Sequence, residues 1–229
     1  MGKSREGGRT VKIVVINGSP KGKYSVTLQS VRYLEKKFPE QEFEILHVGQ
    51  KIKSYEKDFS EAKEKLEEAE VLLFAYPVYT FLAPSQLHRF IELMKENKVK
   101  VSGKFVTQIT TSKHFYDVTA HKYVEENCKD MRMKVVRGLS ADMEDLTEKK
   151  GQKDLEKFFA HFLWCVKCEY YQAFRKTPKS PEAKPLAKTD YEIAYWIFGV
   201  RKILQGAEPA NGSGGQSGSG RKLSGGSGL

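Results

Sequence analysis

Five apolar runs, each of strand length, constrain the fold of this chain more than any other feature. They are "VKIVVIN" (11–17), "EFEILHV" (42–48), "AEVLLFAYP" (69–77), "GKFVTQITT" (103–111) and "MKVVRGL" (133–139). Their apolar residues are nearly continuous, as in strands buried on both faces. Patterns with helical spacing follow at 25–38, 59–68, 84–97, 117–129 and 149–174. Strands alternating with helices predict a parallel sheet covered on both sides, an α/β three-layer sandwich with five strands.

The chain has 229 residues, 39% of them hydrophobic and 30% charged. That suits one globular domain at 10–176 with added sequence. Beyond it, "KTPKSPEAKPLAKTD" carries three prolines and four lysines and reads as an extended linker. It leads to "YEIAYWIFGVRKIL", so 177–204 combines a linker with a short apolar-aromatic segment. Nine of the 19 glycines fall in 205–229, a tail read as flexible and left out of the fold.

The formal charge is +10, which raises nucleic acid, acidic membranes and phosphorylated ligands as partners. The lysines are spread among glutamates, as in "FSEAKEKLEEAE", which reads as a solvated helix face and not a nucleic-acid surface. No apolar run approaches the roughly 20 residues of a membrane span. The opening "MGKSREGGRT" lacks the apolar core of a secretory signal, so a cytoplasmic protein is expected.

Cys165 and Cys168 form a CxxC, with Cys128 elsewhere. No second pair or spaced histidines complete a zinc set, and the surrounding residues repeat at helical spacing. The pair reads as part of a packed helix, with no metal site and no disulfide framework.

Three loops follow strands one, three and four, at the edge of an open sheet where ligands bind. In "NGSPKGKYSVTL", Lys21 supplies charge, Ser25 and Thr27 supply hydroxyls, and the next helix begins with unsatisfied N–H groups. That combination favours a bound phosphate, although an ordinary strand-to-helix turn accounts for it equally well. The loop has neither GxxxxGK[ST] nor GxGxxG, so a terminal phosphate fits better than a triphosphate or dinucleotide pyrophosphate. In "YPVYTFLAPSQLHRFIEL", Tyr76, Tyr79 and Phe81 crowd Pro77, suiting a flat conjugated ligand. In "ITTSKHFYDVTAH", Thr110, Thr111 and Ser112 offer polar contacts, with His114, Phe115 and Tyr116 as a wall. No Ser-His-Asp set can be assembled, and no catalytic side chain is assigned.

At these residues the chain resembles a family. "INGSPKGKYSVTL" resembles the Gly-Ser-Pro-Arg…Ser-Asn-Thr phosphate loop of the NAD(P)H-dependent FMN reductases, and "YPVYTFLAPSQLHRFIE" their Pro-Val-Tyr…Pro…Leu-Lys-x-Phe-Ile-Glu segment. The resemblance spans about 10–174. It implies a flavodoxin-like fold with strand order 2-1-3-4-5. It implies that Ser19, Lys21, Ser25, Val26 and Thr27 hold the FMN phosphate. Pro77, Val78, Tyr79, Thr80 and Phe81 would lie along the isoalloxazine, with Thr111 and Ser112 at the ring or ribityl chain. Two positions depart from the pattern. Val26 replaces Asn and offers only its backbone N–H, and Lys21 replaces Arg and loses the bidentate fork. The compact cysteine cluster of the iron–sulfur flavoproteins is not in the chain.

The expected activity is hydride transfer from NAD(P)H to bound FMN, then electron transfer to a flavin, quinone or other acceptor. A homo-oligomer is expected by the same resemblance. One rival is an electron-transfer flavoprotein serving a partner oxidoreductase docked through 189–204. Flavodoxin-type carriers are acidic, whereas this chain is basic. The other rival is a binding module that kept the fold and lost the flavin.

Overall fold

A computed structural model describes residues 9–113 and 117–172. The linker, apolar segment and tail expected at 177–229 lie outside the described residues, as does the wall of His114, Phe115 and Tyr116.

The strands are β1 (Lys12–Asn17), β2 (Glu42–Leu46), β3 (Val71–Pro77), β4 (Phe105–Ser112), β5 (Lys134–Val135) and β6 (Leu139–Asp142). The helices are α1 (Val26–Lys37), α2 (Val48–Lys57), α3 (Ser60–Glu68), α4 (Ser85–Glu96), α5 (Val118–Asp130) and α6 (Lys149–Lys167). All pairings are parallel, in the order β2-β1-β3-β4-β5, with β6 also on β4. The expected five-strand order is present.

Alternation along the central strands builds two cores. Val14, Ile16, Leu72, Phe74 and Tyr76 face α2, α3, α4 and α5, whereas Ile13, Val15, Leu73 and Ala75 face α1 and α6. Each buried aliphatic side chain contributes about 1.5–3 kcal/mol relative to exposure. Two covered faces explain why these strands read as unbroken apolar runs.

Three elements differ from the sequence expectation. The fifth strand is split: Val135 pairs with Val106 and Leu139 with Ile109, so four steps on one strand face three on the other. That one-residue bulge divides β5 from β6. The helix α2 had no counterpart in the sequence reading, because its middle is lysine-rich and only Val48, Ile52 and Tyr55 mark its inner side. The last helix ends at Lys167 and not at 174. Its end is closed by Glu169 at φ 54 and by a bond from Tyr170 N to Cys165 O at 2.9 Å, a turn that reverses the chain.

Among the described residues, no helix is long and apolar enough to cross a membrane. Cys128 and Cys165 are buried and Cys168 exposed, all as free thiols.

Candidate functional site

The first loop is held from below by Asn17, the last residue of β1. Its side-chain oxygen accepts from Ser19 N at 3.2 Å and its amide donates to Gly22 O at 3.2 Å. The same amide lies 3.3 Å from His47 Nδ1, and burial lowers the His47 pKa. Gly22 takes a φ of 52°, and a Cβ there would collide with Gln50 of α2. Gly49 packs so closely that a Cβ would stand 2.2 Å from Ser19 O. The start of α2 is thus a brace under the loop, and glycine is needed where it touches.

Ser25 caps α1: its hydroxyl accepts from Leu28 N at 3.3 Å. Ser19 Oγ accepts from Lys21 N at 3.3 Å. Each hydroxyl keeps its own proton to donate. Ser19, Ser25 and Thr27 are all buried, while Lys21 is exposed. Among the described residues, Lys21 forms no ion pair and the N–H groups of Val26 and Thr27 have no backbone partner. Val26 is half-buried as the first residue of α1.

The other two loops meet the first through Thr111. Thr27 Oγ1 and Thr111 Oγ1 are 2.6 Å apart, and Val78 N donates to Thr111 O at 3.0 Å. The three loops are therefore joined at Thr27, Thr111 and Val78. Pro77 and Val78 are half-buried; Tyr79, Thr80 and Phe81 are exposed. Tyr79 and Leu82 exchange two backbone bonds of 3.0 Å, closing a tight turn whose central residues, Thr80 and Phe81, have φ of 47° and 71°. Both lie in the left-handed region that side chains disfavour. The turn lifts aromatic side chains off the sheet edge at some cost in strain.

Ser112 ends β4 at 6% exposure, with its hydroxyl buried and without a partner among the described residues. A buried hydroxyl without a partner is costly unless something else bonds it. Beneath this edge, Thr110 Oγ1 donates to Asp117 Oδ2 at 2.6 Å and lies 2.7 Å from His121 Nε2. Tyr76 OH donates to Gln108 Oε1 at 2.6 Å. Burial lowers the His121 pKa against the opposing pull of Asp117, and Arg137 lowers it further. Burial pushes the Tyr76 phenol well up. This network fixes the end of β4 from the α5 side.

Sequence reasoning missed Asn17, His47, Gly49, Asp117 and His121 as parts of the site's support. Asn17 carried a signal, a polar residue at the end of an apolar run and just before a glycine. The others act across the fold and have no local pattern. Among the described residues, no three His, Cys, Asp or Glu side chains converge as a metal site.

The family model "NADPH-dependent FMN reductase" matches residues 11–146. This chain belongs to that family. FMN is accordingly its cofactor and NAD(P)H its reductant, and the protein is an oxidoreductase. No curated protein matches in sequence at a significant level. Among solved structures, the chain is similar to the apo form of an NADH:FMN oxidoreductase, EMOB, with TM-score 0.58 and 20% identity over 77% of this chain and 98% of that one. It is also similar to FerB, a flavoenzyme NAD(P)H:(acceptor) oxidoreductase from Paracoccus denitrificans, with TM-score 0.56 and 18% identity over 69% and 98%. An FMN-dependent NADH-azoreductase from Bacillus anthracis, in complex with FMN, gives TM-score 0.52 and 12% identity over 67% and 100%. At such identities the likeness is one of fold.

Proposed function

We propose that the three joined loops hold FMN and that the protein passes electrons from NAD(P)H to a small soluble acceptor, a flavin or a quinone. The observation that carries this reading is the contiguity of the three loops through Thr111, at the carboxyl edge of a flavodoxin-like sheet. The residues fit the cofactor chemically. Lys21 and the unpaired N–H groups of Val26 and Thr27 suit a phosphate. The protons left on Ser19, on Ser25 and on one of the Thr27–Thr111 pair add charge-assisted donors. Ser112 has a hydroxyl in want of a partner. Pro77, Val78, Tyr79, Thr80 and Phe81 provide an apolar and aromatic bed for a flat ring.

FMN bound there supplies the two-electron chemistry. The chain positions the ring by the braced loop and the strained turn, and exposed Lys23 beside the first loop adds positive charge that attracts an anionic nicotinamide cofactor. We further propose a cytoplasmic location, and an oligomer because Tyr24, Tyr79, Phe81, Leu82 and Val118 are all at least 49% exposed and would gain from a covering surface.

Titration of FMN fluorescence with protein tests the site. The variant carrying Ser25→Ala and Thr27→Ala should bind more weakly, since each bond to a charged group is worth about 1.5–3 kcal/mol. Unchanged affinity in that variant would refute the phosphate assignment.

A further inference from the structure

A cavity of about 280 Å³ opens beside the first turn of α1, between that helix, the end of β6 and the start of α6. Val26, Ala141 and Leu155 give it apolar walls, while Ser30, Asp142 and Asp145 give it polar ones. Ser30 is 3% exposed, and its hydroxyl has no hydrogen-bond partner among the described residues. A serine inside a helix ordinarily bonds the carbonyl one turn back or points to water. Ser30 does neither.

The two aspartates are half-buried and form no ion pair among the described residues. Asp142 Oδ1 accepts from Glu144 N at 3.0 Å, and Asp145 Oδ2 accepts from Asp142 N at 2.8 Å. Each carboxylate therefore keeps an oxygen uncommitted. Glu148 and Asp154 also line the cavity, against Lys150 as the one ammonium. In a chain of net charge +10, this corner has the opposite sign. The start of α6 favours nearby carboxylates through its dipole, which accounts for acidic residues but not for the cavity or for Ser30.

We infer that this cavity binds a small organic cation, an ammonium or amidinium on a compact apolar body. The charged end lies between Asp142 and Asp145 and donates a hydrogen bond to Ser30 Oγ. The body rests on Val26, Ala141 and Leu155. A bare divalent ion fits poorly, since no three ligating side chains converge among the described residues. The cavity shares with the flavin reading only Val26, through its side chain and not its N–H, and the inference rests on Ser30, Asp142 and Asp145, to which that reading assigns no role.

Proton–nitrogen correlation NMR of the full chain, titrated with benzamidinium and separately with neutral benzamide, tests it. Benzamidinium should produce saturable shifts at the amides of Ser30, Asp142 and Gly151, and benzamide should bind at least about tenfold more weakly. Asp142→Asn should weaken benzamidinium by about tenfold with FMN binding unaltered. Ser30→Ala, a milder change, should weaken it several-fold and covers the case in which Asp142→Asn fails to fold. No saturable shift, shifts centred elsewhere, or equal affinity for benzamide would overturn the inference. A failure of FMN to bind in the same samples bears only on the flavin reading.

Discussion

Thr27 of α1 and Thr111 of β4 join their buried hydroxyls at 2.6 Å, although 84 residues separate them in the chain. Thr111 also accepts, through its carbonyl, the N–H of Val78. One residue thus ties the phosphate loop to the aromatic turn. Removing only one hydroxyl leaves the other buried and unpaired, whereas removing both leaves nothing unsatisfied. Thr111→Val should destabilise the protein by about 1–3 kcal/mol. Adding Thr27→Val should recover much of that loss. Chemical denaturation of the four proteins of this cycle measures the coupling, and strict additivity would contradict it.

Lys21 and Ser25 should separate binding from stability. Ser25 caps α1, so Ser25→Ala should cost about 1 kcal/mol of stability as well as weakening FMN. Lys21 is exposed and forms no ion pair among the described residues. Lys21→Met should leave the denaturation midpoint in place while weakening FMN, more at low salt than at high. Parallel melts and FMN titrations would show the split.

The turn at Thr80 and Phe81 has positive φ at both central positions, the geometry for which Asn-Gly is preferred. Thr80 is exposed, so Thr80→Asn loses little packing and should stabilise the protein by roughly 0.5–1 kcal/mol. A lower melting temperature in the variant would mean that Thr80 makes a contact worth more than the strain.

Acid should destabilise the protein through half-buried imidazoles. Burial lowers the pKa of His47, His88 and His121 below that of the unfolded chain. The unfolded state then binds more protons than the folded state just below pH ~6.5. Stability is full above that value and falls as pH drops through it towards the folded pKa values. His121→Gln should flatten this dependence between neutral pH and about pH 5. A slope unchanged by the substitution would assign the loss to other groups.

The sheet was legible because its strands are buried on both faces and therefore read as apolar runs, whose order the family resemblance supplied. The loops were legible because chemistry concentrates there: Ser19, Lys21, Ser25 and Thr27 lie within nine residues of sequence. What escaped was structure set by distant contacts. The spacing of Val48, Ile52 and Tyr55 is the inner stripe of α2, but the lysines around it masked so short a signal. The bulge between Val135 and Leu139 depends on register against β4, which no local pattern encodes. The burial of Ser25 and Thr27, and the Thr110–Asp117–His121 network, arise only when helices pack on the sheet.

The most direct measurement of the central claim is the absorption spectrum of the purified protein with FMN, taken before and after anaerobic addition of NADPH. A flavin that stays with the protein through gel filtration, and whose oxidised bands bleach rapidly with NADPH, is the predicted result. Flavin that passes through as free ligand, or bound flavin whose bands persist in NADPH, would contradict the account.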